Sequence, residues 1–224
     1  MERTAAPPAP AVTQPPATVP LGGDDDLEPL ALTLEAHPDY RVLRRLKPRL
    51  QWPSATGDGI CRVVVLDTET TALDWRQARL VGLSFAFQSG EACYLPLAHD
   101  YLDAPEQLPL QRCLDRLQPF FEHPQLKKIG HHLKYDAHVL ANHGITVRGW
   151  QHDTLLESYV WEAHLTHSLE KLADRHLGRQ GLSYEDLCGK GVHQIPFSQV
   201  DIERATTYSG EDSEMTLAVH QVLY

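Results

Sequence analysis

The chain has 224 residues, of which 42% are hydrophobic. This predicts one globular domain with an appendage, at about 100–200 residues per domain, and no apolar run approaches the ~20 residues of a membrane-spanning helix. A formal net charge of −10 disfavours a general nucleic-acid binder, which holds phosphates through a basic surface. The charge does not exclude an enzyme that holds a few nucleotides through metal ions, because clustered carboxylates add to the same total.

The N-terminal segment differs in composition from the rest of the chain. Residues 1–29 hold seven of the sixteen prolines and the acidic run Asp24–Asp26, and they offer little apolar surface to bury. We therefore predict a flexible linker over 1–29 and a folded domain over 30–224, beginning with a helix near Pro38–Leu46. The segment lacks the basic and apolar blocks of a signal peptide, and the four cysteines form no C-x-x-C pair. We expect a cytoplasmic protein with reduced thiols.

Hydrophobic periodicity predicts an α/β fold with a mixed sheet. The first strand is a β-branched run typical of burial on both faces, and the first long helix repeats its apolar residues at spacings of four, three and four. Three strands, a helix, a strand and then mostly helices favour this class of fold. The predicted strands are Cys61–Asp67, Arg79–Phe87, Glu91–Pro96 and Lys127–Gly130, and the predicted helices are Leu108–Glu122, Lys134–His143 (capped by Gly144), Asp153–Trp161, Ser168–Leu177 (stopped at Gly178) and about Ser198 to Tyr224, with Ser198 as N-cap.

Two acidic residues stand at the end of the first predicted strand. Asp67 and Glu69 are two residues apart, and because side chains alternate along a strand, both carboxylates point to the same face. Two hard oxygen ligands then converge on one place. A D-x-E sequence is also frequent by chance at strand ends, so the pair needs support from other segments.

Two other segments supply that support. Tyr208 and Asp212 are four residues apart in the last predicted helix, on one face. Gly210 between them costs about 1 kcal/mol relative to alanine in a helix interior, which predicts a close approach or a packing contact there. Asp136 falls in the first turn of another helix, where a carboxylate also complements the helix dipole. Each fragment has a structural explanation, but together they favour one metal site.

Three segments form an ordered set of motifs: V-V-V-L-D-T-E-T at 63–70, G-H-H-L-K-Y-D at 130–136 and Y-S-G-E-D at 208–212. They resemble the exonuclease motifs in the proofreading domain of bacterial DNA polymerase I. The similarity runs from about Leu32 to the C-terminus and includes H-D-Y-L-D-A-P at 99–105 and L-E-S-Y at 156–159. It implies the family's ribonuclease H-like fold, a mixed β-sheet flanked by helices, with the tyrosine variant of the third motif.

The resemblance also implies an activity and its residues. The activity is 3′-5′ hydrolysis of single-stranded DNA ends with two divalent metal ions, Mg²⁺ or Mn²⁺, which suit oxygen-only ligands. In the family's arrangement Asp67 bridges both ions, Glu69 and Asp212 hold the water-activating ion, and Asp136 acts on the other through water. The remaining implied residues are Tyr208, which positions the water, and Leu73 and Tyr184, which pack against the terminal bases of the substrate strand.

One residue departs from the family pattern. The second motif commonly has Asn four residues before its aspartate, and this chain has His132 there. Both residues can donate a hydrogen bond to substrate, but histidine titrates near neutral pH. We predict a substrate contact at His132.

Two other readings remain open. One is an RNA-trimming exonuclease of the ribonuclease D type, which uses similar motifs. The other is a catalytically inactive domain kept as a spacer or DNA-binding module, although such a domain would be expected to lose metal-binding acids. A zinc site at His131 and His132, or at His164 and His167, is disfavoured because no further cysteine or histidine stands at ligand spacing. We expect the chain to be part of a larger polymerase, with a polymerase domain as its partner and no membrane association.

Overall fold

A computed structural model of the chain describes residues 63–124 and 126–224. The predicted linker over 1–29, the predicted helix Pro38–Leu46 and the start of the first strand at Cys61 lie outside these residues. The boundary between linker and domain therefore stays a prediction.

The centre of the fold is a five-stranded sheet with the order β3-β2-β1-β4-β5. Strand β1 is antiparallel to β2 and parallel to β4, β3 is antiparallel to β2, and β5 is parallel to β4. The mixed sheet predicted from the sequence is confirmed. The strands are β1 (Val63–Thr70), β2 (Leu80–Gln88), β3 (Glu91–Pro96), β4 (Lys127–Gly130) and β5 (Trp150–Asp153).

Six α-helices accompany the sheet in the described part of the chain. They are α1 (Leu110–Glu122), α2 (Leu133–Ala141), α3 (Thr154–Glu162), α4 (Leu169–Leu177), α5 (Tyr184–Cys188) and α6 (Ile202–Leu223), with short 3₁₀ turns at Gly191–His193 and Phe197–Gln199. The five longer helices lie where the sequence predicts helices, and Gly178 ends α4 in the left-handed conformation, at φ 62°. Helix α2 ends at Ala141, and its C-cap is Asn142 rather than the predicted Gly144. None of the helices in this part of the chain is long and apolar enough to cross a membrane.

The start of the last helix differs from the prediction. Ser198 is buried in a 3₁₀ turn, and the N-cap is Asp201, whose side chain accepts hydrogen bonds from the backbone N–H groups of Glu203 and Arg204. Both residue types are good caps, so sequence alone did not separate them. The structure places the beginning of α6 at Ile202.

Two short elements were not predicted. Strand β5 has the sequence W-Q-H-D, with no apolar run to mark it, and only its pairing with β4 makes it a strand. Helix α5 has five residues and begins with a capping box between Ser183 and Asp186. Such short elements depend on tertiary contacts and caps more than on periodicity.

Two layers of helices enclose the sheet. On one side α1 and α2 pack on the inner strands, with Phe120 of α1 edge-on to Phe85 of β2 at 5.8 Å between ring centroids. On the other side α6 crosses β1, β2 and β3, and α3 and α4 pack against α6. Strand β1 lies in the middle of this arrangement with Val64, Val65 and Leu66 fully buried. The buried strand therefore holds its C-terminal end, which carries the acidic residues, in a fixed position.

Candidate active site

The C-terminal end of β1 opens onto a cleft of about 520 Å³. Asp67 and Glu69 from β1 and Asp136 from α2 lie in its wall. The structure thus brings together acids that are 69 residues apart in the sequence. Other residues lining the cleft include Leu73, His131, His132, Tyr135, Tyr184 and Gln194.

Hydroxyl groups hold the two acids of β1. Asp67 pairs in register with Ser84 of β2, and the Ser84 hydroxyl donates to Asp67 Oδ2 at 3.2 Å. Glu69 is 8% exposed, and the Ser209 hydroxyl of α6 donates to its Oε1 at 2.7 Å. Neutral donors therefore orient both carboxylates without removing their charge.

Asp136 is fixed from the strand between the two other acids. The backbone N–H and the hydroxyl of Thr68 both donate to Asp136 Oδ1, at 3.0 and 2.7 Å. Asp136 is only 3% exposed. This double contact links the first turn of α2 to β1 and turns Asp136 towards the same cleft as Asp67.

Helix α6 brings the third motif beside these acids. The hydroxyl of Tyr208 hydrogen-bonds the carboxylate of Asp212, one turn further along. The charge of Asp67 acts on both residues, and the charge of Asp212 acts on Glu69. Tyr208 and Asp212 are not among the residues that line the cleft, but both are close enough to Asp67 for its charge to affect their pKa. Gly210 does not mark a close approach, because a Cβ there would be 3.9 Å from the Ala92 Cβ, an ordinary packing distance.

The electrostatics of the acid cluster are unfavourable in the absence of cations. Burial raises the pKa of Asp67 to about 6. Burial, and then repulsion from Asp67, raises the pKa of Glu69, Asp136 and Asp212 well above the usual carboxyl range. Within residues 63–124 and 126–224 no lysine or arginine forms an ion pair with any of the four. Oxygen-only ligands that repel one another fit hard divalent cations.

Comparison with known proteins decides the family. Residues 55–224 match the DNA polymerase A family model described as 3′-5′ exonuclease. The chain belongs to this exonuclease family. DNA polymerase I of Pseudomonas aeruginosa is 46% identical over 165 residues, covering 72% of this chain and 18% of that protein. DNA polymerase I of Rhizobium leguminosarum is 36% identical over 208 residues, covering 84% and 20%. The chain thus spans about a fifth of the length of these curated relatives.

Solved structures of nucleases share the fold of this exonuclease domain. NrnC of Brucella melitensis has a TM-score of 0.53 at 19% identity, with 72% of this chain and 71% of that chain covered. Another structure of the same protein, with a TM-score of 0.50 at 21% identity and the same coverage, contains Mg²⁺. The likeness shows the ribonuclease H-like fold, as the motifs implied.

The three residues expected to contact substrate all line the cleft. Leu73 is 95% exposed, and Tyr184 is 36% exposed, with its ring 6.5 Å from that of Tyr208. His132 is exposed in the left-handed conformation at the N-cap of α2, where its backbone N–H donates to Asp153. Their contact with substrate stays a prediction.

Sequence reasoning missed the hydroxyl groups around the acids. Ser84 also hydrogen-bonds Ser213 at 2.7 Å, so α6 is tied to β2 through the group that holds Asp67. Ser209 and Ser213 are fully buried and four residues apart in α6. In the sequence, two serines at helical spacing stand next to Tyr208 and Asp212. Their position on the helix could have suggested that they hydrogen-bond the acids, since a buried hydroxyl needs a partner.

A substitution at Thr68 tests the support of Asp136. The Thr68 hydroxyl stabilises the charged form of Asp136. It therefore opposes part of the rise in the pKa of Asp136 that burial causes. Thr68→Val removes that donor, so the pKa rises and the acid limb of the exonuclease pH–rate profile moves to higher pH. We expect a loss of about 10- to 100-fold near pH 7, since a hydrogen bond to a charged group contributes about 1.5–3 kcal/mol. Thr68→Ser keeps the hydroxyl and is the matched control; superimposable profiles for Val and wild type would contradict the assignment.

Proposed function

We propose that this exonuclease domain hydrolyses the 3′ end of single-stranded DNA, one nucleotide at a time, with two divalent metal ions at the acid cluster. The observation that carries the proposal is the convergence of Asp67, Glu69, Asp136 and Asp212 on one place, each with a raised pKa. Such repulsion is relieved when cations bind between the carboxylates. A structural role alone gives no reason to collect these charges.

These four acids are the residues that would hold the ions. Their donor set is all oxygen, which suits Mg²⁺ or Mn²⁺, and the related nuclease fold of Brucella melitensis NrnC has a structure with bound Mg²⁺. When bound, two such ions supply activation of a water molecule and stabilisation of the charge on the departing 3′-oxygen. The three described hydroxyls of Thr68, Ser84 and Ser209 keep the carboxylates oriented for this task.

Tyr208 has a separate proposed task. Its hydroxyl hydrogen-bonds Asp212, and burial together with the nearby carboxylates raises its pKa. The phenol therefore stays protonated at neutral pH and cannot act as a base. It can donate one hydrogen bond and accept another, which is what orienting an attacking water requires.

The rim of the cleft favours an unpaired DNA end. Leu73 is almost fully exposed, and the Tyr184 ring faces the same cleft. Aromatic rings stack on bases without regard to sequence, and an exposed leucine can pack against a base face. Bases in a duplex are not free to meet either side chain. We propose that these two residues hold the terminal bases, and that His132 donates a hydrogen bond to the strand.

The parent protein is the other part of the proposal. The relatives are DNA polymerases I of several times this length, which favours a polymerase domain as the partner of this chain and residues 1–29 as a linker. In that setting the exonuclease removes mispaired 3′ nucleotides. The proofreading role, the cytoplasmic location and the preference for DNA rest on this relationship.

The activity can be tested with the purified chain. With 5′-labelled single-stranded DNA and Mg²⁺, we expect a ladder that shortens from the 3′ end, because the label remains on every product. Chelation should abolish it, and a DNA duplex with a blunt 3′ end should react more slowly. Equal rates on RNA would favour the ribonuclease D type instead, and loss of the 5′ label as mononucleotide at the outset, or undiminished activity in EDTA, would contradict the proposal.

Substitutions at Tyr208 and Asp212 should reduce the exonuclease rate by different amounts, although both residues lie on one helix face. Asp212→Ala removes a metal ligand and should reduce kcat by about 10³-fold or more, the scale of preorganised electrostatic groups. Tyr208→Phe removes only a hydroxyl and leaves the ring packing and all four acids in place. Its loss should be about 10–10²-fold, the scale of a misplaced reactant.

Binding measurements separate the two roles further. Tyr208→Phe should bind Mn²⁺ with the stoichiometry of the wild type, whereas Asp212→Ala should not. Equal losses from both substitutions would contradict the separate roles of the two residues, and an unchanged rate in both variants would mean that α6 does not belong to the active site.

A further inference from the structure

A second group of metal-binding side chains lies away from the acid cluster. His152 comes from β5, Glu157 from α3 and His220 from α6, and none of them lines the active-site cleft. One ligand atom from each residue lies within 4.8 Å of the other two. These residues are brought together only by folding, which is why no local histidine spacing marks them in the sequence.

The geometry of the group is compact. Glu157 Oε1 is 3.0 Å from Nδ1 of His152 and 3.0 Å from Nδ1 of His220. In a tetrahedral zinc site with bonds of about 2.0–2.1 Å, neighbouring ligand atoms are about 3.3 Å apart. Each Nδ1 therefore needs to move only a few tenths of an ångström away from Glu157 Oε1 for the two atoms to share an ion.

The surroundings favour a fixed site over a solvated charge pair. The side chains of His152, Glu157 and His220 are 10%, 13% and 13% exposed. The Tyr224 ring, itself 81% exposed, contacts both imidazoles, at 4.3 Å from the His152 ring and 5.4 Å from the His220 ring. The hydrogen bonds that Glu157 accepts from both rings hold the ligand rotamers before any ion arrives, which reduces the entropy lost on binding.

We propose that His152, Glu157 and His220 form a zinc-binding site distinct from the catalytic metal centre. Two imidazole nitrogens and one carboxylate oxygen are a zinc donor set, with the fourth position left for water. Imidazole ligands do not suit Mg²⁺, so the two sites differ in the ions that they select. Each Nδ1–H now donates to Glu157. When the ion binds, the single proton of each neutral ring moves through solvent from Nδ1 to Nε2, so that the Nδ1 lone pair faces the ion.

The site would join the edge strand β5 to the two helices α3 and α6. Strand β5 is the four-residue edge of the sheet, and His220 lies eight residues after Asp212 in α6, about 12 Å along the helix at 1.5 Å per residue. An ion at this position ties the end of α6 to the sheet edge. Its effect should therefore be on stability, with the catalytic acids left unchanged.

The test must separate this site from the acid cluster, which can also bind Zn²⁺. The full chain, free of any affinity tag, is used with Asp67→Ala and Asp212→Ala combined to remove the catalytic centre. We expect calorimetry to give one Zn²⁺ per chain, Co²⁺ to give the visible absorption of a tetrahedral site, and Zn²⁺ to raise the unfolding temperature.

Each ligand is then replaced in the same background by His152→Gln, Glu157→Gln or His220→Gln. Each change should weaken Zn²⁺ binding by at least the roughly 10–100-fold that altering even an outer-sphere partner causes. His164→Gln, an exposed histidine outside the group, should change nothing. Circular dichroism in EDTA identifies any variant that is unfolded. If one of the three ligand variants is unfolded, the Zn²⁺ affinities of the other two test the proposal. No Zn²⁺ binding in the background protein, or binding that none of the three folded variants weakens, would overturn the proposal.

Discussion

Repulsion among four desolvated carboxylates at the end of β1 is the constraint on which the rest of this structure depends. Burial disfavours the charge on each of them, and the charge on Asp67 acts on the other three. Because proteins are only marginally stable, the free energy gained from the surrounding packing must offset the cost of holding these charges together. Here a strand with a fully buried centre carries two of the acids, and helices on both sides of the sheet hold the others against it.

The way in which the acids are held follows from the same constraint. Each of the four accepts a hydrogen bond from a hydroxyl group, supplied by Ser84, Thr68, Ser209 or Tyr208. A lysine or arginine would neutralise the charge more effectively, but it would also occupy the place of the proposed metal ions. Neutral donors fix the direction of each carboxylate and leave the negative potential for a cation.

The sequence was most informative for features that depend only on residues close together in the chain. The β-branched run of β1, the D-x-E pair at its end and the helix carrying Tyr208 and Asp212 were all predictable, because alternation and helical spacing are local rules. The family comparison confirmed the fold and the exonuclease class. The roles of the individual site residues remain proposals based on their geometry.

What could not be predicted depends on contacts between distant segments. Strand β5 exists only through its pairing with β4, and the His152, Glu157 and His220 group joins residues up to 68 positions apart. Lys128 is a third case: it is fully buried in β4, where its ammonium group donates to the His123 carbonyl oxygen and burial lowers its pKa to about 7. In sequence it is one of two adjacent lysines and would be placed at the surface.

The most direct test of the central constraint is the unfolding temperature of Asp67→Asn, measured with EDTA and with Mg²⁺ at about pH 8. Because the folded pKa of Asp67 is raised to about 6, its charge destabilises the native state above that pH. Asparagine has nearly the same shape and can still accept from Ser84. The variant should therefore unfold at a higher temperature than wild type in EDTA, and Mg²⁺ should raise the unfolding temperature of wild type far more than that of the variant. The account would be contradicted if the variant unfolded at a lower temperature than wild type in EDTA. It would also be contradicted if Mg²⁺ raised the unfolding temperature of the variant as much as that of wild type.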